Sequence, residues 1–138
     1  MAKDEEAIRE KYAEMKAIEE KLKELQEQMK MVEQQMEDLM VSTQGLDDFE
    51  KIKKGTEILV PLSSGVFAKA TVQDNKNLLV NVGAGSVVKK DLSSAKDILR
   101  KQMGELAELQ QKIGMQLQKF STVAQQVQSD LQKLAAKA

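Results

Sequence analysis

Two stretches of seven-residue apolar periodicity flank a short β-patterned middle, and this layout constrains the chain more than any other feature. The first stretch sets Ile8, Met15, Leu22, Met29 and Met36 in one column, with Ile18, Leu25, Val32 and Leu39 in a second. After the middle, a column returns without a miss: Leu92, Leu99, Leu106, Ile113, Phe120, Val127, Leu134. Heptads sustained over several repeats predict helices that pack along a narrow seam. Helix, strands, helix in one chain can fold back into an antiparallel coiled-coil hairpin. Such a shape suits gripping or tethering better than chemistry.

The side chains available agree with that expectation. Of 138 residues, 3% are aromatic and 31% are charged, so the usual aromatic contribution to a globular core is missing. A first helix over about residues 4–43 would be roughly 60 Å long, too long for the body of a small domain. Cysteine and histidine are both absent, which removes disulfides, thiolate nucleophiles and the commonest general base and metal ligands. Carboxylate pairs such as Glu19–Glu20 and Asp47–Asp48 fall on expected solvated surfaces, where nothing raises a carboxyl pKa for catalysis. Gly83-Ala84-Gly85 lacks the Gly-Lys-Ser/Thr ending of a phosphate loop and reads as a hairpin turn. A pI near 5.6 and the lack of a basic stripe interleaved with aromatics argue against nucleic acid. The expectation is a soluble, cytoplasmic protein that is not an enzyme and holds no cofactor or metal. Its charged start carries no signal core, and no apolar run is long enough to span a bilayer.

A net charge of −1 hides an asymmetry. Residues 1–44 hold seven basic against twelve acidic groups, and residues 92–138 hold seven against four. Opposite net charge favours pairing of the two helices with each other, although exposed pairs contribute little singly.

Residues 57–90 change character. Ile58 to Leu62, Val66 to Val72, Leu78 to Val82 and Val87 to Lys89 are short β-branched-rich runs. They are separated by Ser63-Ser64-Gly65, Asp74-Asn75-Lys76-Asn77 and Gly83-Ala84-Gly85, which predicts two β-hairpins. Pro61 places its strand at an edge or a bulge. Four short strands neither close a barrel nor cover both faces of a sheet, so their edges call for another chain. The segment is therefore read as an assembly module, with Leu59, Val60, Leu62, Val66, Phe67, Val72, Leu78, Val80, Val82 and Val87 as its contact residues. Gly45 either ends the first helix or is passed through by it; Asp91, Ser93 or Ser94 starts the second. The methionines read first as seam packing, with Met31 and Met40, off the main columns, as candidates for exposed contact.

One antiparallel register matches both columns. It sets Met36 by Leu99, Met29 by Leu106, Leu22 by Ile113, Met15 by Phe120 and Ile8 by Val127. Leu131 and Leu134 then overhang without an intramolecular partner. A slip of one heptad is the alternative.

Layout and local residues together resemble the alpha class of the prefoldin family. Glu57-Ile58-Leu59-Val60-Pro61-Leu62-Ser63-Ser64 is similar to that class's first-strand signature, and Leu79-Val80-Asn81-Val82-Gly83-Ala84-Gly85 to its third strand and turn. Two hairpins rather than one mark the alpha class. The chain departs at Ser86 and Val87, where an aromatic is common, and at Ala70, where glycine is. The resemblance implies an α+β, mostly α, single domain over residues 1–138. Its parts are a coiled-coil helix (1–54), two β-hairpins that join an intersubunit β-barrel (55–91), and a second coiled-coil helix (92–138). It also implies a hexamer of two alpha and four beta subunits that binds non-native proteins at the coiled-coil tips without ATP and passes them to a group II chaperonin. Ile8, Tyr12, Met15, Phe120, Val123, Val127, Leu131 and Leu134 are then the expected grip residues. The competing reading is a structural coiled-coil scaffold or filament joined through its β segment.

Overall fold

A computed structural model describes residues 2–137. Helix α1 runs Ala2–Glu50, followed by β1 (Glu57–Ser63), β2 (Val66–Thr71), β3 (Asn77–Gly83), β4 (Ser86–Asp91) and helix α2 (Leu92–Lys137). The fold is a helical hairpin with two central β-hairpins, as the sequence pattern predicts. The chain forms two compact units, one made from the segment up to Gln35 and that from Leu106 onward, the other from Met36–Glu105.

In the first unit the heptads do what their spacing implies. Ile18, Leu25 and Val32 are buried on α1, and Ile113 and Val127 on α2. The neighbouring column of Ile8, Met15, Leu22 and Met29 is half-buried, as are Leu106, Phe120 and Leu134. Leu25 is the most completely enclosed, with 1% of its surface exposed. The register differs from the one expected. Met15 lines a groove with Gln128 and Leu131 rather than facing Phe120. At Gly114 a β-carbon would lie 3.9 Å from Met29 Cε, where Leu106 was expected. Lys11 Nζ reaches Asp130 Oδ2 at 3.5 Å. The pairing is thus shifted by about one heptad, which preserves the period and so leaves no mark on it. The expected overhang is absent: Leu131 lies half-buried beside Tyr12 and Met15, and Leu134 is half-buried too.

In the second unit α1 continues straight through Gly45. It ends in a tight turn, with Lys51 N donating to Asp48 O and Ile52 N to Phe49 O. The strands form two separate antiparallel sheets, β1–β2 and β3–β4. Both hairpins shift register one step before the turn, at Pro61/Ser63 and at Asn81/Gly83. The β3–β4 turn places Ala84 (φ 51°) and Gly85 (φ 73°) in the left-handed region, the geometry of a two-residue turn whose twist matches its strands. Glycine takes that conformation freely, whereas alanine's β-carbon makes it costly.

Leu25→Ala should lower the unfolding free energy of the isolated chain by about 3 kcal/mol, read from urea titration followed by circular dichroism. Ala84→Asn, which tolerates the left-handed conformation, should raise it by about 1 kcal/mol in the same titration.

Candidate functional site

A joint in the second unit holds the strands and helices in place. Helix α1 has no basic residue in its last turn, so no lysine or arginine within that turn offsets its carbonyl end or the carboxylates of Asp47 and Glu50. Helix α2 supplies a cation. Lys96 Nζ lies 2.8 Å from Asp47 Oδ1 and also donates to Glu50 Oε2, with 14% of its side chain exposed. The hydrogen bond from Lys96 holds the Asp47 carboxyl below its ordinary value, and the hydrogen bond to Asp47 raises the Lys96 ammonium. The loop between β2 and β3 closes the helix end: Asn75 Nδ2 donates to Glu50 O at 3.1 Å and Ile52 O at 2.7 Å. Asp74 holds that loop by accepting from Lys76 N (2.8 Å), Asn77 N (3.2 Å) and Asn77 Nδ2 (3.0 Å). At the start of α2, Asp91 Oδ1 accepts from Ser94 N at 2.7 Å, which makes Asp91 the cap, and the Ser94 hydroxyl together with that N–H lowers its carboxyl pKa.

On this frame the hairpins present apolar side chains to solvent. Leu59, Val60, Leu62, Val66, Phe67, Val82 and Val87 are all exposed. Leu78 and Val80 are half-buried, while Val72 is buried, its backbone paired with Gly55 and Thr56, and is a packing residue of its own chain. Sequence reasoning missed Leu79, the most exposed of the large apolar residues at 77%, and Val88. Their signal was present: Leu78-Leu79-Val80 and Val87-Val88 are continuous apolar runs, the pattern of strands covered on both faces.

In the first unit the helix ends form a groove of about 390 Å³ lined by Tyr12, Met15, Glu19, Gln128, Leu131 and Gln132, among others. Tyr12 is 64% exposed, while Ile8, Phe120, Val123 and Leu134, which do not line this groove, are half-buried. Val127, at 2%, is enclosed in the seam and does not reach the surface. Met31 and Met40 are exposed, as their off-column positions predict. Among the described residues no group of His, Cys, Asp or Glu is placed to hold a metal, and no helix is long and apolar enough to cross a membrane.

The prefoldin subunit family model matches residues 18–137. The chain belongs to the prefoldin family. It is 29% identical over 127 residues to the prefoldin subunit alpha of Archaeoglobus fulgidus, covering 92% of this chain and 93% of that one. It is 34% identical over 92 residues to that of Pyrococcus horikoshii, covering 58% and 62%. Among solved structures it is similar to filamentous PFD from Methanocaldococcus jannaschii, with a TM-score of 0.66 and 15% identity over 89% of this chain and 96% of that one. Prefoldins are chaperone subunits that assemble with other prefoldin subunits. A single subunit with apolar strands open on both faces is consistent with that habit.

The Lys96 joint gives a pH signature. Asp47's folded pKa lies below its ordinary 3.8, so its contribution is present above that value and lost as pH falls through the depressed one. Lys96 is raised above 10.5, so its contribution is present below that value and lost only as pH rises past it. Thermal melts of the wild type should therefore be flat between about pH 5 and 9 and fall at either extreme. Lys96→Met should lower the melting temperature across that plateau and blunt the acid-side fall.

Proposed function

We propose that this chain is an alpha-class prefoldin subunit acting as an ATP-independent co-chaperone in the cytoplasm. It assembles through its two hairpins with beta subunits, two alpha with four beta. Non-native proteins are held at the helix ends and passed to a group II chaperonin. The observation that carries this reading is the exposure of Leu59, Leu62, Phe67, Leu79 and Val87 on strands with unfilled edges. Water-exposed apolar strands of this kind mark surfaces that other chains cover. The groove at Tyr12, Met15 and Leu131 supplies an apolar surface of modest size, and several such grooves in one complex would give avidity without a tight single site. Val127 serves the seam in this reading, and Tyr12, Met15 and Leu131 in the groove, with Ile8, Phe120, Val123 and Leu134 elsewhere on the paired helices, make the contact.

A filament is the second reading, favoured by the similarity to the filamentous protein of Methanocaldococcus jannaschii. In that case copies of this chain would cover each other's strands.

Tyr12→Glu combined with Leu131→Glu should at least halve the suppression of client aggregation in a light-scattering assay, while native mass spectrometry still shows the full complex. Undiminished protection by the doubly charged variant would remove the grip from this groove. Filaments of the purified chain alone in electron micrographs would favour the second reading.

A further inference from the structure

The helix-end groove of the first unit mixes apolar and polar side chains, and its charge is one-sided. Met15 and Leu131 supply apolar surface, and Gln128 and Gln132 supply amides. The one carboxylate of the lining belongs to Glu19, and no lysine or arginine lines the groove, although the chain carries 21 of them.

The lysines close to it in sequence are otherwise placed. Lys11, next to Tyr12, is held by Glu14 Oε2 at 3.3 Å and Asp130 Oδ2 at 3.5 Å. Lys16 and Lys23, three residues before Glu19 and four after it, are its neighbours on the helix surface. Among the described residues neither forms an ion pair with it. Lys133, next to Gln132 in the sequence, does not line the groove. Glu19 is itself exposed, so its carboxylate is open to whatever lies beside Met15 and Leu131. The surrounding helix adds to the bias, since residues 1–20 hold seven acidic against four basic groups.

From this we infer that the groove selects non-native segments in which an apolar stretch is flanked by lysine or arginine, with Glu19 as the residue that reads the charge. The inference rests on the reading of this groove as the grip. The apolar stretch covers Met15 and Leu131, and the flanking cation meets the Glu19 carboxylate. A segment flanked by aspartate or glutamate brings like charge to the same place, where no cation of the lining offsets it. The amides accept either sequence, so the carboxylate alone supplies the discrimination. An exposed pair of charges changes affinity by about two- to fivefold. Where several grooves engage one client, that bias multiplies across the contacts.

The full chain, titrated by fluorescence anisotropy against three labelled peptides, tests this. The peptides share one stretch of leucine and phenylalanine and carry lysine, glutamine or glutamate beside it. At about 20 mM salt the lysine peptide should bind about fivefold more tightly than the glutamate peptide, with the glutamine peptide in between. At about 500 mM salt the preference should shrink below about twofold, because screening then acts within a few ångströms. Glu19→Gln should cut the low-salt preference to about twofold or less, Glu19→Asp should keep it, and Glu19→Lys should reverse it. Equal binding of the three peptides by the wild type would overturn the inference and leave the grip in place. A preference that survives Glu19→Gln undiminished would assign the selection to the acidic helix as a whole and remove Glu19 from it. Binding of none of the three would sink the grip reading, and the inference with it.

Discussion

The constraint on which this molecule depends is a shortage of material to bury. Among the described residues only Ile18, Leu25, Val32, Val72, Leu92, Ala95, Ile113 and Val127 are buried apolar side chains. A domain of this size normally encloses several times as much, and stability rests on that area. Here the helices recover part of it by concentrating burial in one line, seven residues apart. The strands recover almost none. What a globular chain would hide from water, this one leaves on Leu59, Leu62, Phe67 and Leu79. Membership of a family of assembling subunits explains how such a sequence persists: completion of the core is deferred to other chains.

Because the seam repeats, it cannot by itself choose a register. Every one-heptad slip presents the same apolar columns to each other, which is why the periodicity showed the helices plainly and their pairing not at all. Non-repeating residues decide it. Met29 lies beside Gly114, and Lys11 finds Asp130. Charge balance is a poor guide here. The acidic helix contributes the lysine of that pair and the basic helix the aspartate, the reverse of what net charge suggests. At the joint, Lys96 with Asp47 and Glu50 does follow the expected sense. Net charge sums over exposed groups that face water; register depends on the few that face each other.

The hairpins were legible for a different reason. Turn residues and β-branched runs act locally, so Ser64-Gly65 and Ala84-Gly85 mark their turns without reference to anything distant. What the middle segment does for the helices was not legible. Asp74-Asn75-Lys76-Asn77 reads as an ordinary polar loop, yet Asn75 closes the end of α1 from 25 residues away. Nothing in the pattern of a loop says which helix end it will meet. Gly45 posed the same difficulty in reverse. Locally it is a stop signal, yet the helix passes through it.

The two classes of exposed surface have opposite physical demands, and the sequence separates them. Assembly requires a fixed partner, and fixed partners are selected by directional features such as strand edges and bulges. Holding non-native chains requires tolerance, and tolerance comes from side chains that adapt. The helix-end groove mixes Tyr12 and Met15 with Glu19, Gln128 and Gln132, so it offers apolar contact and hydrogen bonding without a shaped pocket. A flexible thioether and amides cost little to rearrange around varied sequences, whereas β-branched strand residues would not yield. Leu131 and Met15 can serve such a surface only because the register leaves them half-buried. Shifted back by one heptad, Met15 would face Phe120 in the seam and Leu131 would hang free. The same slip that the periodicity cannot detect would therefore change the character of the surface.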